Sequence, residues 1–288
     1  IFWIASFPKS GNTLLRSILS ALFFTHDGIF SFDKLRYISQ FEKTIHVENN
    51  KKIFGNDFSR LNNTSVFYKY IIDLQTKKSL GISEDFIFLK THSGLFKVGD
   101  SAFTSNNNTR GIIYVLRDPR DVCISWSKHL DISLDESINH MINEAASGYW
   151  IETSTNDIFK NTNRPKSLYS SWEKHVLSWT SINWDLPIKI IKYEDLVYDK
   201  KNTVISLIDF FTKNFNFDFK NTDTKLNNII NSTSFHIFKK EEEEKGFSES
   251  TGKNKFFSVG KKDQWKEKLS KDQVLKLENK FGSVMKKY

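Results

Sequence analysis

The chain has 288 residues, of which 39% are hydrophobic and 15% aromatic, so it can bury a sizeable core as one large α/β domain or two small ones. A single cysteine excludes an internal disulfide and a cysteine metal cluster, and the lack of any apolar run of about 18 residues predicts no membrane span. The net charge of +8 favours anionic ligands, or it reflects only a lysine-rich surface.

The lone cysteine, Cys123, is expected to pack as a small buried residue. Its isolation fits a reducing compartment, and we expect a cytoplasmic protein. No signal peptide is visible, but the chain opens directly in a predicted strand, which weakens that observation.

The first predicted elements are a buried strand over 1–5 and a helix whose apolar residues recur at helical spacing over 14–23. The segment between them, Phe-Pro-Lys-Ser-Gly-Asn-Thr at 7–13, is therefore a turn from a strand end into a helix start. Backbone N–H groups, the helix dipole, a lysine and two hydroxyls converge there, which attracts phosphate. The alternative is a turn that uses Gly and Ser only for its backbone shape. The order also differs from the standard P-loop, in which Lys follows Gly.

Residues 26–85 predict a helical insertion packed on the sheet, with a lining for a second ligand as the alternative. A second strand, over 86–89, runs into Lys90 and His92. Ligands of open α/β sheets bind outside the carboxyl ends of the strands, so His92 would share an edge with the first turn. A purely structural histidine is the competing interpretation.

The third predicted strand, over 111–116, delivers Arg117, and Asp118 is a good N-cap for the helix that follows. Asp121 sits where a reciprocal cap could reach back, and Ser125 lies about one turn into this helix. Arg117 offers a fork of donors suited to a phosphate, or it pairs with Asp118 or Asp121.

The rest of the chain continues the alternation of strands and helices. Residues 131–165 predict helix and loop on the substrate side, and the stripe of Trp172, Val176 and Trp179 is typical of core. A fourth strand over 188–192 precedes Tyr193 and another helical stripe. The charge run 239–246 predicts an exposed, mobile segment, residues 248–255 have a loop-like composition, and a terminal helix starts at Ser270. Strands followed by helices imply a parallel, helix-covered sheet.

In the order in which they occur, these motifs resemble those of the sulfotransferases that use 3′-phosphoadenosine-5′-phosphosulfate (PAPS). Segment 7–13 looks like the loop that holds the 5′-phosphosulfate, and 89–92 is similar to the segment that carries the catalytic base. Segment 114–125 looks like the 3′-phosphate motif, and 193–196 resembles the adenine-contacting tyrosine segment. Thr233 to Phe235 is similar to a short adenine-side motif, and 260–265 resembles the loop that closes over the cofactor.

The resemblance implies an α/β, P-loop-like three-layer fold, with a central parallel β-sheet flanked by helices, in a single sulfotransferase domain over 1–288. It implies that His92 is the general base, that Lys9 holds the leaving phosphate and that Lys90 bridges toward the sulfuryl oxygens. The implied cofactor-binding residues are Lys9, Ser10, Gly11, Asn12, Thr13, Leu14, Arg117, Ser125, Tyr193, Thr233, Phe235, Ser258, Val259 and Gly260. PAPS is the implied co-substrate, with PAP as its product, and no metal is required.

The resemblance implies a small-molecule acceptor, but the sequence leaves open whether it is an alcohol, phenol, amine, sugar or lipid, and it leaves the oligomeric state open. Three positions depart from the family pattern. Leu14 replaces an aromatic that stacks on adenine, Ser258 and Val259 replace basic residues before Gly260, and the glycine that usually precedes the acidic residue and Trp of the closing loop is absent. Lys261 and Lys262 are candidates for the missing charge.

Two other functions compete with this interpretation. A P-loop-type nucleotide kinase or hydrolase would share the strand–loop–helix grip, but the glycine and lysine order and a strand-terminal Asp for Mg²⁺ are missing. A nucleic-acid binder would fit the net charge, but the lysines are scattered among acidic residues, so we expect no nucleic-acid partner.

Overall fold

The computed structural model describes residues 1–148, 165–220, 222–250, 254–257 and 260–288. The strands are β1 (Phe2–Ser6), β2 (Phe88–Thr91), β3 (Lys97–Val98), β4 (Ser101–Ala102), β5 (Gly111–Leu116), β6 (Ser147–Gly148), β7 (Ser167–Leu168) and β8 (Ile188–Lys192). In the described ranges the central sheet has four strands, all parallel, in the order β2-β1-β5-β8. The pairs β3-β4 and β6-β7 are antiparallel. The predicted parallel sheet is confirmed.

Helices cover both faces of this sheet. They are α1 (Asn12–Phe24), α2 (Thr44–Asn49), α3 (Lys51–Phe54), α4 (Thr64–Tyr70), α5 (Lys77–Leu80), α6 (Pro119–Leu130), α7 (Leu134–Ile142), α8 (Trp172–Thr180), α9 (Tyr193–Tyr198), α10 (Lys200–Phe215), α11 (Thr222–Ser232), α12 (Phe235–Lys245), α13 (Trp265–Lys268) and α14 (Lys271–Lys287). Short 3₁₀ helices span Phe32–Tyr37, Gly55–Arg60, Asp73–Gln75 and Asn106–Asn108. Among the described residues, no helix is both long and apolar enough to cross a membrane.

Alternate residues of β1 point to opposite faces of the sheet, and each face has its own apolar core. Trp3 and Ala5 belong to one core, whereas Phe2 and Ile4 belong to the other. A parallel strand that is buried on both faces reads as a continuous apolar run, and the run over 1–5 predicted this strand.

The two cores are closed by different helices. The predicted stripe of Trp172, Val176 and Trp179 on α8 is buried in the first core, as expected. Leu15 and Ile18 of α1 are buried in the second. The insertion over 26–85 is helical, as predicted, and adds side chains to both cores.

The strands of the central sheet end at nearly the same level. Ala5 pairs with Thr91 on one side and with Tyr114 on the other, and Leu116 pairs with Lys192. The chain therefore leaves all four strands at one edge, and the segments that follow them meet there.

The helix that follows β5 has the predicted N-cap at Asp118 but not the predicted reciprocal cap from Asp121. The Asp118 carboxylate accepts a hydrogen bond from the Arg120 backbone N–H at 2.8 Å, and Pro119 is the first helical residue. Asp121 does not reach back to cap this helix; its Oδ1 accepts from the backbone N–H of Trp265 at 3.1 Å. The predicted reciprocal cap was wrong because a distant segment uses the carboxylate instead.

The charge run 239–246 was predicted as a mobile segment, but residues up to Lys245 form the second half of α12. Lys and Glu are good helix formers, and pairs four residues apart, such as Glu241 with Lys245 at 3.0 Å, add local support. Phe238 anchors the helix in a core at 1% exposure. The Glu242 carboxylate accepts from the backbone N–H groups of Phe256 and Phe257.

Candidate active site

A cavity of about 380 Å³ lies at the sheet edge where the strands end, within the size range of small-molecule sites. It brings together most of the residues singled out from the sequence: Lys9, Gly11, Asn12, Thr13, Leu14, Lys90, His92, Arg117, Ser125, Tyr193, Thr233, Phe235 and Gly260. Ser10 is buried beside them at 1% exposure. Ser258 and Val259 lie outside the described residues.

The turn that follows β1 is shaped by two residues with positive φ. Lys9 has φ 64° and Gly11 has φ 100°, so the backbone curls as anion-binding turns do. A Cβ on Gly11 would lie 2.5 Å from Cδ2 of Tyr193, so only glycine lets this ring pack on the turn. Within the described part of the chain, the buried Ser10 Oγ and Asn12 Oδ1 have no hydrogen-bond partner.

Arg117 bridges this turn and the Tyr193 ring. Its Nη1 donates to the Lys9 carbonyl oxygen at 3.0 Å, and its guanidinium lies 4.1 Å from the centre of the Tyr193 ring. The ion pair with Asp118 weighed from the sequence is not formed, because Asp118 pairs with Arg120 at 2.6 Å. Among the described residues, Arg117 Nε is buried without a partner, so a strong donor is available for an anion.

His92 is held in one tautomer. Its Nδ1 lies 2.8 Å from the Ser6 carbonyl oxygen, which can only accept, so Nδ1 carries the proton. In this tautomer Nε2 carries the lone pair of the ring. Burial, helped by the nearby charge of Lys90, holds the pKa of His92 well below its usual range. The imidazole is therefore neutral at neutral pH.

A buried hydrogen-bond chain supports the His92 backbone. The Nε2 of His175 donates to the His92 carbonyl oxygen at 3.0 Å, so His175 Nδ1 accepts from the Tyr114 hydroxyl at 2.8 Å. Both rings come from the core under the sheet edge, and His175 is 0% exposed. The histidine-bearing segment is thus fixed from below.

Glu42 fixes the same segment from the side. Its Oε1 accepts from the hydroxyls of Thr91 and Ser93, each at 2.7 Å, one residue on either side of His92. Glu42 is only 4% exposed, and burial raises the pKa of this carboxyl. No sequence signal marked Glu42, because nothing local links residue 42 to residues 91–93.

Two lysines make the cavity cationic. Burial lowers the pKa of Lys9 and of Lys90 to about 7 in each case, and Glu249 partly offsets that effect. Lys90 is 1% exposed, and the Lys9 ammonium lies 3.6 Å from the centre of the Phe256 ring. Near neutral pH both groups change charge readily, so they respond strongly to a bound anion.

Glu249 brings a carboxylate into this cationic cavity. Its Oε1 lies 2.5 Å from Arg16 Nη1, and its Oε2 lies 3.1 Å from Thr13 Oγ1 and 3.4 Å from Lys90 Nζ. Burial would raise the pKa of Glu249, but the charges of Arg16 and Lys90 hold it well below the usual range. The sequence analysis missed both Glu249 and Arg16. An arginine at 16, one helical turn after an anion-binding turn, was a usable signal, whereas Glu249 offered none.

The opposite end of the cavity is formed by late segments. The Thr233 hydroxyl donates to the Ile229 carbonyl oxygen at 2.6 Å, and the Thr233 carbonyl oxygen accepts from Lys200 Nζ at 2.6 Å. Gly260 has φ 64°, and a Cβ there would lie 2.7 Å from the Phe235 ring. Lys200, whose pKa burial lowers to about 8, also lines the cavity and was missed from the sequence.

The side of the cavity beyond His92 mixes aromatic and polar groups. Trp126, His129 and Tyr169 line it together with Gln40. In the described ranges, Trp126 Nε1 and Gln40 Oε1 are buried without a hydrogen-bond partner. Of the substrate-side region predicted over 131–165, His140 and Gly148 line the cavity, and residues 149–164 lie outside the described residues. Across the described ranges, no three His, Cys, Asp or Glu side chains are grouped so that they could hold a metal ion.

Comparison with known proteins places this geometry in a family. The family model described as "Sulfotransferase domain" matches residues 2–288. Sulfotransferase 2A2 of Rattus norvegicus is 26% identical over 156 residues, which cover 52% of this chain and 45% of that protein. Luciferin sulfotransferase of Photinus pyralis is 24% identical over 204 residues, which cover 66% of this chain and 48% of that protein. The match therefore spans less than half of these relatives' own lengths.

Solved structures share the fold. The structure of mouse sulfotransferase SULT7A1 complexed with PAP has a TM-score of 0.59 at 16% identity, over 99% of this chain and 83% of that one. Retinol dehydratase in complex with androsterone and inactive cofactor PAP has a TM-score of 0.58 at 17% identity, over 98% and 79%. These likenesses confirm the α/β fold expected from the sequence, and the match of the family model over nearly the whole length shows that the chain belongs to the sulfotransferase family.

Proposed function

We propose that this chain, as one domain over 1–288, transfers the sulfuryl group of PAPS to a hydroxyl or amine of a small acceptor. One observation carries the proposal: a neutral His92, protonated at Nδ1, shares a cavity with Lys9 and Lys90. Sulfuryl transfer needs a base for the acceptor proton and positive charge for the leaving phosphate.

The residues present fit the nucleotide. The unpartnered Nε of Arg117 is a strong donor for the 3′-phosphate, with Ser125 on the same cavity wall. The positive-φ turn at Lys9 and Gly11 directs backbone N–H groups at the start of α1 toward the 5′ end. This support agrees with the neighbouring structures, whose bound nucleotide is PAP.

The adenine would lie between Tyr193, Leu14 and Phe235, which line the same cavity. At Leu14 an aliphatic contact replaces the stacking expected of an aromatic. The Phe235 ring packs closely against Gly260, so the closing loop adjoins the adenine side.

In the proposed reaction, the acceptor hydroxyl gives its proton to His92 Nε2, and the acceptor oxygen forms a bond to sulfur. The bond between sulfur and the 5′-phosphate oxygen breaks, and its electron pair stays on that oxygen. Lys9 and the backbone N–H groups of the turn stabilise the negative charge that develops on the leaving phosphate oxygen. Lys90 binds the oxygens of the sulfuryl group during its transfer. Removing one such donor costs about 10²–10³ in rate.

The acceptor is proposed to bind against Trp126, Tyr169 and Gln40. Aromatic faces favour an apolar skeleton, and the unpartnered Trp126 Nε1 and Gln40 Oε1 offer one donor and one acceptor. The retinol dehydratase structures contain androsterone or retinol, each an apolar body with a hydroxyl. We propose an acceptor of that general size and polarity.

A panel of alcohols, phenols and amines incubated with PAPS labelled with ³⁵S tests the proposal directly. Transfer of label to an acceptor supports it, and binding of PAP without metal is the accompanying requirement. Binding of ATP that depends on magnesium, without binding of PAP, would favour the P-loop kinase instead.

A further inference from the structure

Resting on the proposed function, we propose that Arg16, Thr13 and Lys90 form a binding subsite for the anionic 5′ end of the nucleotide, which Glu249 holds until the nucleotide displaces it. Arg16 is thereby assigned as a further ligand-binding residue. Glu249 is assigned as an internal competitor that sets the affinity of the site.

The contacts of Glu249 are those of a bound oxyanion. Both carboxylate oxygens are engaged: Oε1 by Arg16 at 2.5 Å, and Oε2 by Thr13 at 3.1 Å and Lys90 at 3.4 Å. The Glu249 side chain is 9% exposed, and those of Arg16 and Lys90 are 4% and 2% exposed. A phosphate or sulfuryl oxygen demands the same donors, since each prefers charged N–H and hydroxyl groups at about these distances.

The subsite adjoins the turn that is proposed to hold the phosphosulfate. Thr13 is the second residue of α1, directly after that turn, and Lys90 is two residues before His92. Arg16 lies one turn further along α1, where its Nε donates to the Ile38 carbonyl oxygen at 2.8 Å. That bond leaves Nη1 aimed at the carboxylate, so the donors are fixed before any ligand arrives.

Glu249 and a bound phosphosulfate cannot share these donors. Two anions at contact distance in a buried site repel each other strongly, and the donors cannot satisfy both. The carboxylate also neutralises a site that otherwise gathers Arg16, Lys90 and Lys9, and such uncompensated buried charge is costly. Exchange of one anion for another keeps the cavity neutralised throughout.

The chain around Glu249 is suited to this exchange. Gly246, with φ 74°, ends α12 three residues before Glu249, and a Cβ there would contact nothing within 4 Å. On the other side, Phe256 and Phe257 are tied to Glu242 through their backbone N–H groups. Phe256 lies over the Lys9 ammonium, so movement of this segment also changes access to Lys9.

The decisive variant is Glu249→Gln, which keeps the size and removes the charge. Calorimetry should show PAP binding about tenfold more tightly than to the wild type, since the internal competitor is weakened. Adenosine 3′-phosphate, which lacks the 5′ anion, should bind both proteins equally. The matched control is Glu244→Gln, an exposed carboxylate on α12 with the same change in net charge, which should leave PAP affinity unchanged.

Glu249→Asp covers the case in which the glutamine variant fails to fold. It keeps the charge but shortens the reach by one methylene, so PAP should bind about threefold more tightly. Unchanged or weaker PAP affinity in the folded variants, or equal gains for PAP and adenosine 3′-phosphate, would overturn the proposal. Failure of PAP to bind the wild type and both variants would instead contradict the proposed function, and this subsite with it.

Discussion

Two walls of the cavity differ in how the chain builds them. The strand-end wall consists of the segments 7–14, 90–92 and 117–125, each of which lies at the carboxyl end of a strand of the central sheet or directly after it. The late-chain wall consists of Thr233, Phe235, Phe238, Glu249, Phe256, Phe257 and Gly260. The first wall forms because the register of the parallel strands brings their carboxyl ends together. The second depends on contacts such as that of Thr13 with Glu249, 236 positions apart.

The two walls have different proposed roles, one in sulfuryl transfer and the other in nucleotide affinity. The strand-end wall carries the proposed base, the lysines and the arginine on rigid elements, as precise positioning requires. The late-chain wall carries the carboxylate that competes for those cations and the phenylalanine that covers Lys9. We therefore expect variants of the first wall to change turnover and nucleotide selectivity, and variants of the second to change affinity.

The largest effect is expected for His92→Ala. Turnover should fall about 10²–10⁴-fold, because general base catalysis contributes an effect of that size, while PAP affinity stays nearly unchanged. Rates at saturating acceptor and calorimetry with PAP measure the two quantities. His236→Ala, an exposed histidine on α12, is the control. A rate near that of the wild type would show that His92 is not the base.

The next effect is expected for Arg117→Ala. PAP binding should weaken about 10- to 100-fold, since hydrogen bonds to charged groups contribute about 1.5–3 kcal/mol, whereas adenosine 5′-phosphate should lose little. Arg36→Ala removes an exposed arginine and serves as the control. Equal losses for both nucleotides would contradict a role in binding the 3′-phosphate.

A smaller effect is expected from pH. Lys9 and Lys90 each have a pKa of about 7 in the free protein, and the charged form binds the anion. Above pH 7 the free lysines lose their protons, so affinity for PAP should fall by up to about tenfold per pH unit for each lysine that must take up a proton. Calorimetry in two buffers of different ionisation enthalpy measures the uptake. Affinity that is constant between about pH 6 and pH 9 would contradict this.

The smallest effect is expected for Glu42→Gln, which tests the support beneath the strand-end wall. Burial raises the pKa of Glu42 in the folded state, so its contribution to stability is full below the ordinary glutamate range and is lost as pH rises. The glutamine keeps an acceptor for Thr91 and Ser93 but cannot ionise. Its unfolding free energy relative to the wild type should therefore increase from about pH 5 to pH 8.

Urea unfolding at the two pH values measures this difference. Glu42→Ala is the contrasting variant, because it leaves two buried hydroxyls without their acceptor and should destabilise the protein at both pH values. A glutamine variant whose relative stability does not change with pH would show that Glu42 is ionised in the folded protein.

Much of the strand-end wall could be predicted from sequence because its determinants are local. An apolar run predicts each buried strand, and parallel strands deliver their following residues to one edge, so Lys9, His92 and Arg117 could be placed together. What local reasoning could not settle was partner choice. Arg117 had three possible partners, and the structure gives Asp118 to Arg120 and Asp121 to the Trp265 backbone.

In the late-chain wall, the family resemblance supplied Thr233, Phe235 and Gly260, whereas reasoning from local patterns did not find the other residues. Glu249 sits in a segment of loop-like composition, and its burial comes from Arg16, Thr13 and Lys90, all more than 150 positions away. The charge run before it looked like a mobile segment because composition reports polarity and not the anchors Phe238 and Glu242.

By itself, the sequence determined the parallel sheet, the turn after β1 and the set of cationic residues at the strand ends, because hydrophobic periodicity and turn chemistry act over a few residues. Only the tertiary structure decided the tautomer of His92, the hydrogen bonds of Glu42 to the residues beside His92, and the position of the Glu249 carboxylate. These depend on which groups meet across long loops, and on the burial that strengthens every charge held there.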